Sequence, residues 1–142
     1  MIKNFNKTII VILIITTSCS WFNQLKSDEK VAESIEELFK IDSENIDLTD
    51  FGVFEWHNLI ILGPYYQIEE VEEKLDLDLS NIRENRISHD DRINLIIFMN
   101  KGKSIKIAEI SREFGGFKPE GELIKKENAR FKKIEKLNVL VD

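Results

Sequence analysis

The chain has 142 residues, 42% hydrophobic and 32% charged, with 6 glycines and 2 prolines. That is enough apolar material for one packed core, and the sequence is too mixed for a wholly disordered chain. Its 26 acidic residues outweigh 20 basic ones, and the net charge of -6 disfavours nucleic acid and anionic lipid headgroups as partners of the folded part. A single cysteine excludes an intrachain disulfide, so the fold must stand on packing.

The first elements form a targeting segment. Lys3 and Lys7 precede seven consecutive apolar residues, Ile9 to Ile15, and Thr16-Thr17-Ser18 then supplies small side chains before Cys19. A basic region, a short apolar region and a small-residue cleavage site make a secretion signal. The apolar run falls far below the ~20 residues of a permanent bilayer span. Residues 1–18 are therefore expected to be a transient signal peptide. Their loss removes two lysines and leaves 18 basic against 26 acidic residues.

Thr16-Thr17-Ser18-Cys19 resembles the lipobox of bacterial lipoproteins, which are cut just before the cysteine and acylated on its sulfur. Thr16 departs from the Leu, Val or Ile usual there. The resemblance implies that Cys19 is the lipidated first residue of the mature chain, which places the protein in the bacterial cell envelope, held to a membrane outside the cytoplasm. Two acyl chains hold far better than one, at about 0.8 kcal/mol per buried CH₂. The alternatives are a secreted chain with a free Cys19 and an uncleaved anchor. A catalytic thiol is not expected, because no basic or histidine partner lies nearby in the sequence.

Residues 19–27 read as a lipidated tether and residues 28–142 as a single α+β domain. Val31, Ile35, Leu38 and Phe39 predict a helix over 28–40, with Ser27 as its N-cap. The acidic stretch 40–52 reads as a loop; its acids lack the spacing of a calcium loop. FEWHNLIIL predicts the central strand, apolar on both faces over Leu59–Leu62, and Gly63-Pro64 ends it. A short helix follows over 67–75, with Ile68, Val71 and Leu75 inward and Glu69, Glu70, Glu72 and Glu73 on a solvated face.

Residues 76–91 are mostly connection, in which Ile82 and Ile87 belong either to a loop or to a brief edge strand. INLIIFM, residues 93–99, is the clearest strand, and Asn100-Lys101-Gly102-Lys103 turns it into SIKIAEI. Residues 111–122 hold half of the six glycines and read as a loop, and the tail from Asn128 reads as a strand over its helical alternative. The expected architecture is a small antiparallel sheet of about four strands with two helices on one face, in the order α-β-α-β-β-β.

Trp56-His57 and Gly63-Pro64-Tyr65-Tyr66 bracket the first strand, and Phe98, Gly102, Arg112 and Phe117 follow at the hairpin and the loop after it. This set resembles a loose group of small bacterial lipoproteins and secreted proteins with a Trp-Asp pair, an apolar strand, Gly-Pro-Tyr and a later hairpin. His57 stands where that group usually has an acid, and Tyr66 where it often has Thr. The group brings no activity, only a compact α/β domain outside the cytoplasm.

Trp56, His57, Tyr65, Tyr66, Arg112 and Phe117 form the candidate binding surface; the rings also suit core or rim packing. His57 and His89 lack zinc-ligand spacing, so no metal and no cofactor is expected. Nucleophile and phosphate-loop motifs are missing, which argues against an enzyme. The leading expectation is a non-catalytic envelope module that binds another envelope protein. An extracytoplasmic small-ligand or sensory module is the alternative, and a hydrolase a distant one.

Overall fold

The computed structural model describes residues 23–142; the expected signal peptide and Cys19 lie outside the described residues. Among the described residues the architecture is mixed α/β and mostly antiparallel, with two α-helices and two four-stranded sheets. Helix α1 spans Glu29–Ile41, β1 Asn45–Asp47, β2 Asn58–Leu62 and α2 Ile68–Leu75. Strands β3 (Ile93–Asn100) and β4 (Lys103–Ser111) form the long hairpin. Four short strands follow: β5 Gly116–Lys118, β6 Ile124–Lys125, β7 Arg130–Ile134 and β8 Leu137–Leu140.

The central sheet has the order β4-β3-β2-β6 and is antiparallel throughout. Its inner strands carry no polar face, because Leu59 to Leu62 and Leu95 to Met99 are all buried. Alternate residues therefore feed two cores. Leu59, Ile61, Ile96 and Phe98 join Ile35 and Phe39 of α1. Ile60, Leu62, Leu95 and Ile97 join Ile68 and Val71 of α2, together with Leu79, Ile82 and Ile87. The helices thus lie on opposite faces, which corrects the expectation of two helices on one face. A sheet left bare on either side would expose side chains worth about 1.5–3 kcal/mol each when buried.

The second sheet, β1-β7-β8-β5, closes the α1 core with Ile46, Phe117 and Phe131. It builds strands where the sequence suggests loops. The acidic 40–52 segment contributes β1, and the glycine-rich 111–122 segment contributes β5, parallel to β8. The glycines there serve close approach. A Cβ on Gly115 would sit 2.7 Å from the Lys136 carbonyl oxygen, and the Gly116 amide donates to that same oxygen at 3.0 Å. The tail is a hairpin, β7–β8, with Glu135 at φ +57 in its turn.

Helix α1 is capped by Asp28 instead of Ser27. The Asp28 carboxylate accepts from the Val31 amide at 3.1 Å and pairs with Lys106 at 2.9 Å. Ser27 has other work: its hydroxyl accepts from the Glu109 amide at 2.9 Å. The expected tether is seated on the fold from Asn23 onward. Leu25 donates its amide to Asn81, Gln24 bonds Ser80, and the Asp28 amide reaches the Ile107 carbonyl. With Glu36 accepting from the Ser111 amide, this segment covers the open edge of β4, where unpaired groups would invite a foreign strand.

Residues 76–91 have no regular strand but are firmly tied. Glu72 accepts from the Leu79 amide at 2.6 Å and pairs with Arg83 at 2.8 Å, so it does not belong to a purely solvated face. A 3₁₀ turn at Ser80–Ile82 then buries Ile82, and Ile87 is buried beyond it.

Candidate functional site

The central sheet has two ends, and the six predicted surface residues divide between them and the core. At the hairpin end, Lys101 and Gly102 both take positive φ, as a tight two-residue turn requires. Trp56 lies beside this end but is 1% exposed, packed edge-on against Phe98. Phe117 is also 1% exposed, between Phe39 and Phe131. Neither ring can meet a partner, which corrects their place in the expected binding surface. Their burial follows from geometry: Trp56 satisfies its one polar atom by donating to the Phe51 carbonyl at 2.7 Å, and Phe117 faces inward from β5.

His57 is exposed at the hairpin end, with Nδ1 2.9 Å from Oδ1 of Asn100 and Nε2 3.6 Å from Glu55. It borders a shallow polar groove with Thr49, Asp50, Lys125, Lys126 and Arg130. Lys126 sits over the Trp56 ring at 5.0 Å, and Arg130 pairs with Asp47 at 3.3 Å. Nothing in the linear order of residues marks this groove, because its basic residues come from a stretch that reads as ordinary solvated charge.

The opposite end holds the other three. Gly63-Pro64-Tyr65-Tyr66 turns the chain out of β2, and Tyr65 sits there at φ +69 with 64% of its surface exposed. Asp76, Lys101 and Glu135 also take positive φ, but they are small or flexible residues at a helix end and two hairpin turns. A tyrosine where a Pro-containing turn usually places glycine costs about 1–2 kcal/mol of backbone strain. The Tyr65 amide donates to the Ile87 carbonyl at 2.8 Å and fixes the turn.

The 116–123 segment folds back over this turn. Glu120 lies so close to Gly63 that a Cβ there would collide with its carboxylate. The half-buried Tyr66 ring packs on Gly121, whose amide donates to the Ile61 carbonyl at 2.9 Å and whose carbonyl accepts from Lys74 at 3.3 Å. Burial pushes the Glu120 carboxyl above the ordinary carboxylate value, against the opposing pull of Arg112 and Lys118. Burial also pushes the Tyr66 hydroxyl up, helped by Glu120 and Glu122. Arg112 is held by Asn94, a fully buried side chain that accepts from it at 3.2 Å and donates to Gly115 at 3.0 Å.

Beside Arg112 runs a charged groove. Arg86 pairs with Glu109 at 2.7 Å and with Asp90 at 3.1 Å, and Arg92 pairs with Asp90 at 3.0 Å. Hydrogen bonds from Arg92 hold Asp90 well below the ordinary carboxylate range. These charges satisfy one another and shape the rim. The corner therefore offers an exposed phenol, a second phenol at its base and one partly buried carboxylate, a set suited to recognition. Among the described residues, no group of three or more His, Cys, Asp or Glu side chains is placed to hold a metal ion. No helix there is long and apolar enough to cross a membrane. Compared with protein-family models, curated proteins and solved structures, the chain matches none.

Proposed function

We propose that this chain is a bacterial envelope lipoprotein, carried on a membrane by acyl chains at Cys19, whose α/β domain binds another envelope protein without catalysing a reaction. The address rests on Lys3 and Lys7, the apolar run Ile9 to Ile15, and Ser18-Cys19. The binding surface in this reading is the corner of Tyr65, Tyr66, Glu120 and Arg112. One observation carries it: Tyr65 is exposed while its backbone is held in a strained, left-handed conformation. Strain of this kind persists where the surrounding structure enforces it, and it gathers at functional positions. An exposed ring at such a position gains nothing from the core, so its use is sought outside the molecule.

The test places a photoreactive phenylalanine analogue at position 65 of the full-length protein in the native bacterium, with position 84 as the reference. Glu84 is also exposed but lies in the 76–91 connection. The expected result is a discrete protein adduct from position 65 that position 84 does not give. Equal adduct patterns from the two positions, or none from 65, would overturn the reading.

A further inference from the structure

The hairpin end of the central sheet carries an apolar loop with an unusual construction. In Asp50-Phe51-Gly52-Val53-Phe54, Gly52 takes φ +93 and Val53 is fully exposed. The loop is rigidly held from beneath. Phe51 stacks on Phe98 at 5.8 Å, Phe54 meets Phe98 edge-on at 5.2 Å, and the Trp56 indole ties down the Phe51 carbonyl. Lys106 lies 5.2 Å from the centre of the Phe54 ring. A groove runs beside the loop, walled by Val31, Phe51 and Phe54 with Asp28, Lys30, Asp50 and Lys106 at its edge.

This loop and the point of chain entry share one end of the sheet. Asn100 donates to the Glu55 carbonyl at 3.2 Å, which places the loop by the last residues of β3. Gln24 bonds Ser80, and Asn81 bonds Ser104, which places the entering chain by the first residues of β4. Only four peptide steps separate Cys19 from Asn23. Even fully extended they span at most about 14 Å. A chain tied to lipid at Cys19 therefore keeps the hairpin end within about that distance of the bilayer, with exposed Lys101 and Lys103 on that same end.

We infer that Val53, presented by Phe51 and Phe54, rests in the headgroup region of the membrane that anchors the chain, so that the loop is a second, peripheral membrane contact. A rigid apolar tip fits the boundary between headgroup and acyl chain through its apolar surface, not through charge. Asp50 and Glu55 flank it and Asp28 neutralises Lys106, while Lys101 and Lys103 on the same end keep their charge in water. The inference rests on the anchor proposed above and fixes an orientation: the Tyr65 corner, at the other end of β2, points away from the membrane. Val53 has no contact in the fold to lose, so substitution there spares folding.

The test uses the full-length protein purified from membranes and returned to vesicles of phosphatidylethanolamine and phosphatidylglycerol containing a spin-labelled lipid. A fluorophore is attached at Val53→Cys or, for reference, at Glu113→Cys, which is exposed beside Arg112 at the far end. Lipid quenching several-fold stronger at 53 than at 113 is the expected result. Equal quenching overturns the contact while leaving the anchor intact. Shielding at 53 from a water-soluble quencher without lipid quenching assigns the tip to a protein surface, and shielding that grows with protein density assigns it to a second copy; both overturn it. An N-terminal peptide with unmodified Cys19, in protein that stays out of the membrane, takes down the anchor and the contact together.

Discussion

The indole of Trp56 donates its hydrogen to the carbonyl oxygen of Phe51, five residues earlier, at 2.7 Å. The bond closes the 51–56 loop over Phe98 and turns the largest side chain of the core into the post on which the loop stands. Trp56→Phe removes the donor and leaves space beneath the loop. A loss of about 2 kcal/mol is expected from the cavity and the stranded carbonyl. Urea unfolding measures it, with a lowered midpoint and an unchanged slope. A midpoint equal to wild type would mean that the loop is held by its phenylalanines alone.

Tyr65 carries the opposite sign. Asparagine tolerates the left-handed region better than tyrosine does, so Tyr65→Asn should leave the fold equal in stability or firmer by up to about 1 kcal/mol. The same variant should no longer co-purify with the partner that crosslinks at position 65. Stability gained with binding lost separates a recognition residue from a structural one; a marked fall in melting temperature would make Tyr65 structural.

Glu120 contributes a pH dependence of its own. Its folded pKa is raised above the unfolded value near 4.5, so its ionisation opposes folding. Stability linked to this group is fully present below that value and is lost as pH rises through the folded pKa. Glu120→Gln should therefore melt higher than wild type at pH 7, and the difference should vanish near pH 4. Gly63→Ala should push the carboxylate outward and return its pKa toward the ordinary range, as NMR titration of the side chain would register.

Asp90 works the other way. Its carboxylate is buried between Arg86 and Arg92, and its folded pKa lies below the unfolded value of 3.8. The stability it provides is present above that value and is lost as pH falls below it. Asp28 and Asp47 are lowered in the same sense, chiefly by hydrogen bonds from Lys106 and Thr49. Asp90→Asn should be less stable than wild type at neutral pH, and its stability should fall less steeply between pH 4 and 2. Equal slopes would show that the arginines contribute nothing through this carboxylate.

Much of the central sheet was legible because its signals are local. The run Ile93 to Met99, apolar except for Asn94, read as a strand, and Lys101-Gly102 marked its turn. The two helices declared themselves through apolar spacing, with Asp28 taking over the cap from its neighbour Ser27. The second sheet was hidden because its strands depend on partners far along the chain. Strand β1 buries one side chain, Ile46, within an acidic segment, and β5 exists only because Gly115 lets the Lys136 carbonyl approach. The proposed binding surface was half legible for the same reason. Tyr65 and Tyr66 lie where the Gly-Pro turn puts them, whereas Glu120 reaches them through a fold-back of more than fifty residues. Trp56 suited either a surface or the core from its sequence alone, and its bond to the Phe51 carbonyl goes with the core.

The proposed membrane address, and with it the Val53 contact, depends on Cys19, and one measurement tests it. Mass spectrometry of the mature protein, isolated with its lipid from the native membrane, reads the first residue and its modification directly. The expected species begins at Cys19 and carries a diacylglycerol on the sulfur, and Cys19→Ala abolishes it. A mature protein that begins elsewhere, or that keeps a free thiol at Cys19, would contradict the account.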